Sequence, residues 1–106
     1  MASVMRASIN GRFGMKYVLL GRLSPEWAAR HGKRVASARE RLQQLGITLE
    51  AVYYTQGHYD FVDVVDAPES DAVLTFTLWY VSQGFGRIES MPAFDLDTLA
   101  GAAGKA

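Results

Sequence analysis

Two stretches rich in β-branched and aromatic residues, 47–54 and 58–66, are separated by only three residues, Thr55-Gln56-Gly57. Runs of that composition broken by a short glycine-containing loop form an antiparallel hairpin. Because the hairpin lies in the middle of the chain, every other element must be arranged around it. If Tyr54 pairs with His58, then Val52 faces Asp60 and Glu50 faces Val62, and side chains alternate between the two faces with period two. One face then carries Glu50, Val52, Tyr54, His58, Asp60, Val62 and Val64. The other carries Leu49, Ala51, Tyr53, Tyr59, Phe61 and Val65, an ordinary surface for helices to cover, with Asp63 as its one misfit. The assignment is sensitive to register, since a slip of one residue exchanges the faces.

The flanking sequence supplies a strand and a helix on each side. Residues 15–20 are a short apolar run ending at Gly21, which reads as a buried strand. Ser24-Pro25-Glu26 is a helix start, with a hydroxyl cap, proline in the first turn and an acid beside it. Trp27, Val35, Ala38, Leu42 and Leu45 then share one helical stripe, with Arg30, Lys33, Arg34 and Arg41 expected away from it. Gly32 predicts a short turn before a main helix that begins near Lys33 and ends at Gly46. After the hairpin, Asp66-Ala67-Pro68-Glu69-Ser70-Asp71 leads into a second helix over 72–83, closed by Gly84. Residues 86–94 return as a strand, and Pro92 places it at a sheet edge, where a missing N–H is tolerated.

The order strand, helix, strand, strand, helix, strand predicts an α+β ferredoxin-like sandwich: a four-stranded antiparallel sheet with both helices on one face. The domain is expected over 15–96, between a flexible N-terminal arm at 1–14 and a flexible C-terminal tail at 97–106. The sheet face opposite the helices would expose Val52, Tyr54, Val62 and Val64, and a monomer rarely exposes such a patch. Two copies packed through their open faces, as a homodimer or part of a larger homo-oligomer, are therefore expected.

Composition narrows the function. There is no cysteine, which removes disulfides, thiolate catalysis and cysteine metal sites. His31 and His58 are the only histidines, so a transition-metal site would need carboxylates such as Glu50 or Asp60 as well. Neither a metal nor a cofactor is expected. The net charge is zero, but nine of the eleven Lys and Arg precede Gly46 and nine of the eleven Asp and Glu follow it. That asymmetry fits complementary surfaces between subunits, or simply a solvated basic helix and acidic loops. It does not fit a nucleic-acid protein, which would carry a basic excess, so DNA association through the helix at 33–41 is the weakest reading. No long apolar run occurs near the start, so no membrane contact and a cytoplasmic location are expected.

The motif Tyr53-Tyr54-Thr55-Gln56-Gly57-His58-Tyr59-Asp60-Phe61-Val62, followed by Asp66-Ala67-Pro68-Glu69 and Gly86-Arg87-Ile88-Glu89, resembles the GYD-domain family. The family signature reads Tyr-Tyr-Thr, a Gly, a variable residue often Arg, then Tyr-Asp. Gly57, Tyr59 and Asp60 correspond to its Gly, Tyr and Asp, while His58 and Gln56 depart from it. Members are similar to dimeric α/β barrels, so the resemblance implies that fold and self-association. It does not imply an activity.

Tyr54, His58 and Asp60 are the candidate catalytic residues. On one face they would set an imidazole beside a carboxylate, an acid–base pair able to move a proton on a small organic molecule, with Tyr54 donating to a developing oxyanion. The competing reading has Asp60 satisfying neighbouring backbone N–H groups, with Tyr54 and His58 as packing. Trp79 and Tyr80 fit a core at helical spacing, or the wall of a pocket for an aromatic ligand. Gly84-Phe85-Gly86 follows a helix instead of opening one and so is no phosphate loop. The expected function is a homo-oligomer binding a small aromatic or apolar metabolite in a cavity between facing sheets. Cofactor-independent acid–base chemistry (isomerase, cyclase or oxygenase-like) would extend it, and the alternative is a non-catalytic structural or regulatory oligomer.

Overall fold

Strand β1, Met15–Leu23, alternates Tyr17, Leu19 and Gly21 inward against Lys16, Val18, Leu20 and Arg22 outward. It is a central strand of a computed structural model that describes residues 14–106. After it come a single helical turn α1 (Pro25–Ala28), helix α2 (His31–Gln44), strands β2 (Thr48–Tyr54) and β3 (Phe61–Ala67), helix α3 (Ser70–Ser82), strand β4 (Gly86–Pro92) and helix α4 (Leu96–Ala103). The strands form one antiparallel sheet in the order β2-β3-β1-β4, the ferredoxin-like arrangement. Pro92 lies on the edge strand β4.

One sheet face is covered by α2 and α3. Tyr17 and Leu19 of β1, Phe61, Val65 and Ala67 of β3, Leu42 of α2, and Ala72, Val73, Phe76 and Tyr80 of α3 are buried together. Phe76 and Tyr80 are four apart on α3 and so share one stripe toward the sheet. Phe85 closes one end of this core, packing edge-on against Trp27, Trp79 and Tyr80. The break before α2 falls at Ala29 and Arg30, and Gly32 lies inside the helix.

The hairpin differs from its expected form in two respects. Its loop is six residues long, 55–60, and Tyr54 pairs with Phe61, not His58. A β-bulge at Glu50 also shifts the register between Leu49 and Ala51, so Leu49 pairs with Val65 but Val52 with Asp63. The extra residue exchanges the faces of the strand beyond it. Val52 and Tyr54 therefore turn toward the helices, and Ala51 and Tyr53 take their places on the open face. There they join Val62 and Val64 of β3, Val18 and Leu20 of β1 and Met91 of β4, an apolar row across all four strands.

Residues 96–103, where a tail was expected from 97, are helical. The Asp95 carboxylate caps α4 by accepting from the Thr98 backbone N–H at 2.7 Å. The helix buries none of its residues, and Phe94 and Leu96 are 73% and 80% exposed. The arm expected over 1–14 lies, except for Gly14, outside the described residues. Among the described residues no helix is long and apolar enough to cross a membrane.

Candidate functional site

Beneath α2, where the β2–β3 hairpin closes the sheet, a cavity of about 240 Å³ opens between helix and sheet. Val35, Ala38 and Leu42 of α2, Leu49 and Val52 of β2, Phe61 of β3 and Phe76 of α3 make its apolar walls. Its polar groups come from three directions: His31, Arg34 and Arg39 from α2, Tyr54 and Asp63 from the hairpin, and Tyr80 from α3. A cavity that sets apolar walls against convergent polar groups suits a small molecule with a polar head.

Arg34 is the most constrained of these groups. It was expected on the solvated side of α2, yet it is only 4% exposed. The reason is helical spacing: Arg34 lies four residues before Ala38 and eight before Leu42, on the stripe that faces the sheet. Its Nη1 donates to the Tyr80 hydroxyl at 3.3 Å, and its guanidinium carbon lies 5.9 Å from the ring centres of both Tyr54 and Phe61. Its buried Nε has no acceptor among the described residues. A buried guanidinium stays charged, so an unmatched donor on it is costly unless something else accepts from it.

Asp63 stands opposite Leu19 on one side and Val52 on the other, in the helix-facing row of β3. Among the described residues its carboxylate has no hydrogen-bond or ion-pair partner. Desolvation pushes it up to about 6 from an ordinary value of 3.8, while the charges of Arg34 and Arg39 pull the other way. Burial likewise raises the Tyr80 phenol, against the opposing pull of Arg34. Tyr80 thus stays neutral, as a hydrogen-bonding group, in the physiological range.

The three residues singled out in the sequence do not share this cavity. Tyr54 lines it, with its ring edge-on to His31 at 5.3 Å and to Phe61 at 6.4 Å. His58 sits in the exposed loop with its ring 4.7 Å from Tyr59, beside a second depression on the open face that includes Arg22, Arg87 and Glu89. The Asp60 carboxylate Oδ2 accepts from the Leu23 backbone N–H at 2.7 Å, and its own N–H donates to the Gly21 carbonyl at 2.7 Å. The expected register would have set all three on one sheet face. The six-residue loop and the bulge separate them.

The signature residues instead bind the loop to the sheet. Thr55 donates its backbone N–H to the Asp60 carbonyl at 2.9 Å and its hydroxyl to the Tyr59 carbonyl at 2.6 Å. The Tyr59 hydroxyl donates to a Glu89 carboxylate oxygen on β4. Loop 55–60 is thereby tied to the end of β1 and to the middle of β4. This holds the hairpin in the register that turns Tyr54 and Asp63 toward the helices. The signal for Asp63 was present in the sequence, as the single acid in an otherwise apolar strand face.

Fold and cavity together define a ferredoxin-like α+β domain with a polar-headed, apolar-walled pocket between its longest helix and its sheet. The chain belongs to the GYD-domain family, whose model, described as GYD domain, matches residues 17–103. No curated protein matches the chain.

Proposed function

We propose that this protein is a homodimeric binder of a small organic anion, a single-ring or similarly compact carboxylate, held in the cavity beneath α2. The observation that carries the reading is the buried Arg34 guanidinium at the cavity wall, a cation with no ion-pair partner among the described residues. Carboxylates satisfy guanidinium donors with charge-assisted hydrogen bonds. The aromatic and aliphatic walls suit an apolar body behind that head. At ~30 Å³ per water, 240 Å³ has room for roughly eight waters, the scale of a one-ring acid. The cavity lies within one subunit, on the helix side, and so does not depend on the space between facing sheets.

Thermal melting with benzoate, phenylacetate and phenylpyruvate tests the reading. A carboxylate at ten times its Kd adds about 1.4 kcal/mol of stability, a rise of several degrees in Tm. Benzamide, with the same ring and no charge, is expected to give a clearly smaller rise. Arg34→Met, which keeps the aliphatic stem, is expected to lose the response to carboxylates. No rise with any of the three acids, or an equal rise in Arg34→Met, would overturn the proposal.

Pairing through the open face is supported by the apolar row Val18, Leu20, Ala51, Tyr53, Val62, Val64 and Met91, in which Tyr53 is 65% exposed. Light scattering at micromolar concentration is expected to give about twice the chain mass of 11.7 kDa. Val64→Lys, which sets a charge in the middle of the row, is expected to return the mass to that of one chain. A single-chain mass for the unmodified protein would remove the dimer from the account.

A further inference from the structure

We propose that Asp63 is a catalytic proton acceptor, and that the substrate is a small enolisable keto acid whose carbon-bound proton it moves. This rests on the carboxylate-binding reading of the same cavity.

The inference begins from what Asp63 lacks. Several polar groups around this end of the fold have a visible structural task. Asp60 holds the β1 backbone, Thr55 the hairpin loop and Tyr80 the Arg34 head. Asp63 holds none of the described residues by a hydrogen bond or ion pair. It stands in the middle of β3, between Leu19 and Val52, where an apolar residue would pack without penalty. Asp63 lines the cavity without a hydrogen bond or ion pair among the described residues.

The surrounding groups suit a proton transfer. Arg34 and Arg39 on α2 both act on Asp63 through their charge, and Tyr54, Tyr80 and His31 complete the polar rim from β2, α3 and the start of α2. In the forward step an Asp63 oxygen takes a proton from the carbon next to the keto group. The C–H electron pair becomes the carbon–carbon double bond of the enolate, and the carbonyl π pair moves onto oxygen. One negative charge leaves the carboxylate and one appears on the substrate oxygen, both within the field of Arg34. The site relocates charge without creating it, and Arg34 lowers the barrier to the extent that it stabilises the enolate oxygen more than the Asp63 carboxylate. Protonated Asp63 then returns the proton to the same carbon or to a conjugated one. No electrons enter or leave, and no cofactor is required. An Asp buried enough to titrate near 6 is closer to neutral pH than an ordinary one, which favours general-base work.

Phenylpyruvate is the probe, because its benzylic protons exchange with solvent through the enol. In D2O, proton NMR follows loss of the benzylic signal while broadening of the ring signals reports binding in the same sample. The protein is expected to accelerate exchange at least about a hundredfold over buffer. Asp63→Asn, matched in shape, is expected to keep the ring broadening and to return exchange to the buffer rate. Asp63→Glu, which retains a displaced carboxylate, is expected to keep part of the acceleration. Ring broadening with exchange at the buffer rate overturns the catalytic proposal and leaves the binding proposal standing. Neither broadening nor exchange overturns both. Full exchange in Asp63→Asn, with loss in His58→Gln, overturns it in favour of the loop histidine.

Discussion

Asp63→Asn is expected to stabilise the protein by about 3 kcal/mol at pH 8 and by nothing measurable near pH 3. The carboxyl sits at about 6 in the folded protein and at its ordinary 3.8 in the unfolded chain, chiefly because the cavity desolvates the ionised form. The sign is opposite to that of a salt-bridged Asp. Between these values the folded state holds a proton that the unfolded chain has released, so folding becomes less favourable as pH rises through that interval. Below it both states are protonated and the penalty vanishes. Above it the full penalty applies, and a displacement of this size corresponds to about 3 kcal/mol. Asparagine keeps the shape, cannot ionise and so removes the penalty. Urea unfolding of both proteins from pH 3 to pH 8 is expected to give stabilities that diverge between pH 4 and 6 and run parallel above. Other carboxylates also contribute to acid unfolding, but they are common to both proteins and cancel in the difference. A substitution that stabilises by this much at a cavity wall is the mark of a residue retained for something other than the fold.

Gly86→Ala is expected to cost about 3 kcal/mol or more, and Gly84→Ala about 1. Both glycines have positive φ, 152° and 76°, but their surroundings differ. A β-carbon on Gly86 would lie 1.9 Å from the carbonyl oxygen of Arg22, a backbone atom of β1 that no rotamer change can move. Relief would require β1 and β4 to part where Leu23 pairs with Gly86. Overpacking of this kind costs about 1–3 kcal/mol, to which the backbone conformation adds a similar amount. At Gly84 a β-carbon meets nothing, so only the left-handed backbone is penalised, by about 1–2 kcal/mol. Equal losses for the two substitutions would show that the close approach of β1 and β4 does not govern this corner.

The order of elements was legible because each carries a local signal: Ser24-Pro25-Glu26 before the first helices, Gly46 and Gly84 after the two main ones, Pro92 on the edge strand. The candidate site was less so, because it depends on events that no local signal encodes. A single bulged residue, Glu50, decides whether Val52 and Tyr54 face the helices or the open side. The hairpin loop takes in His58, Tyr59 and Asp60 because Asp60 bonds to Gly21 and Leu23, which are distant in the chain. Arg34 read as solvated by its charge, although its spacing from Ala38 and Leu42 placed it inside. Asp63 was visible as a misfit among apolar neighbours, and only the cavity in front of it gives that misfit a meaning. Helix α4 was hidden by its small, glycine-containing composition, although Leu96, Leu99, Ala100 and Ala103 recur at helical spacing and Asp95 caps it.

The most direct test of the Arg34–Asp63 cavity as a carboxylate site is a carbon-13 NMR titration of the Asp63 carboxyl, assigned with Asp63→Asn, without and with saturating benzoate. The free protein is expected to show a midpoint near 6, and benzoate to move it upward. A bound anion repels the ionised carboxylate and occupies part of the Arg34 field, so the two negative charges disfavour one another. By the same linkage, benzoate should bind more tightly below pH 6 than above it. A midpoint in the ordinary range near 4, or one that saturating benzoate leaves in place, would contradict the account.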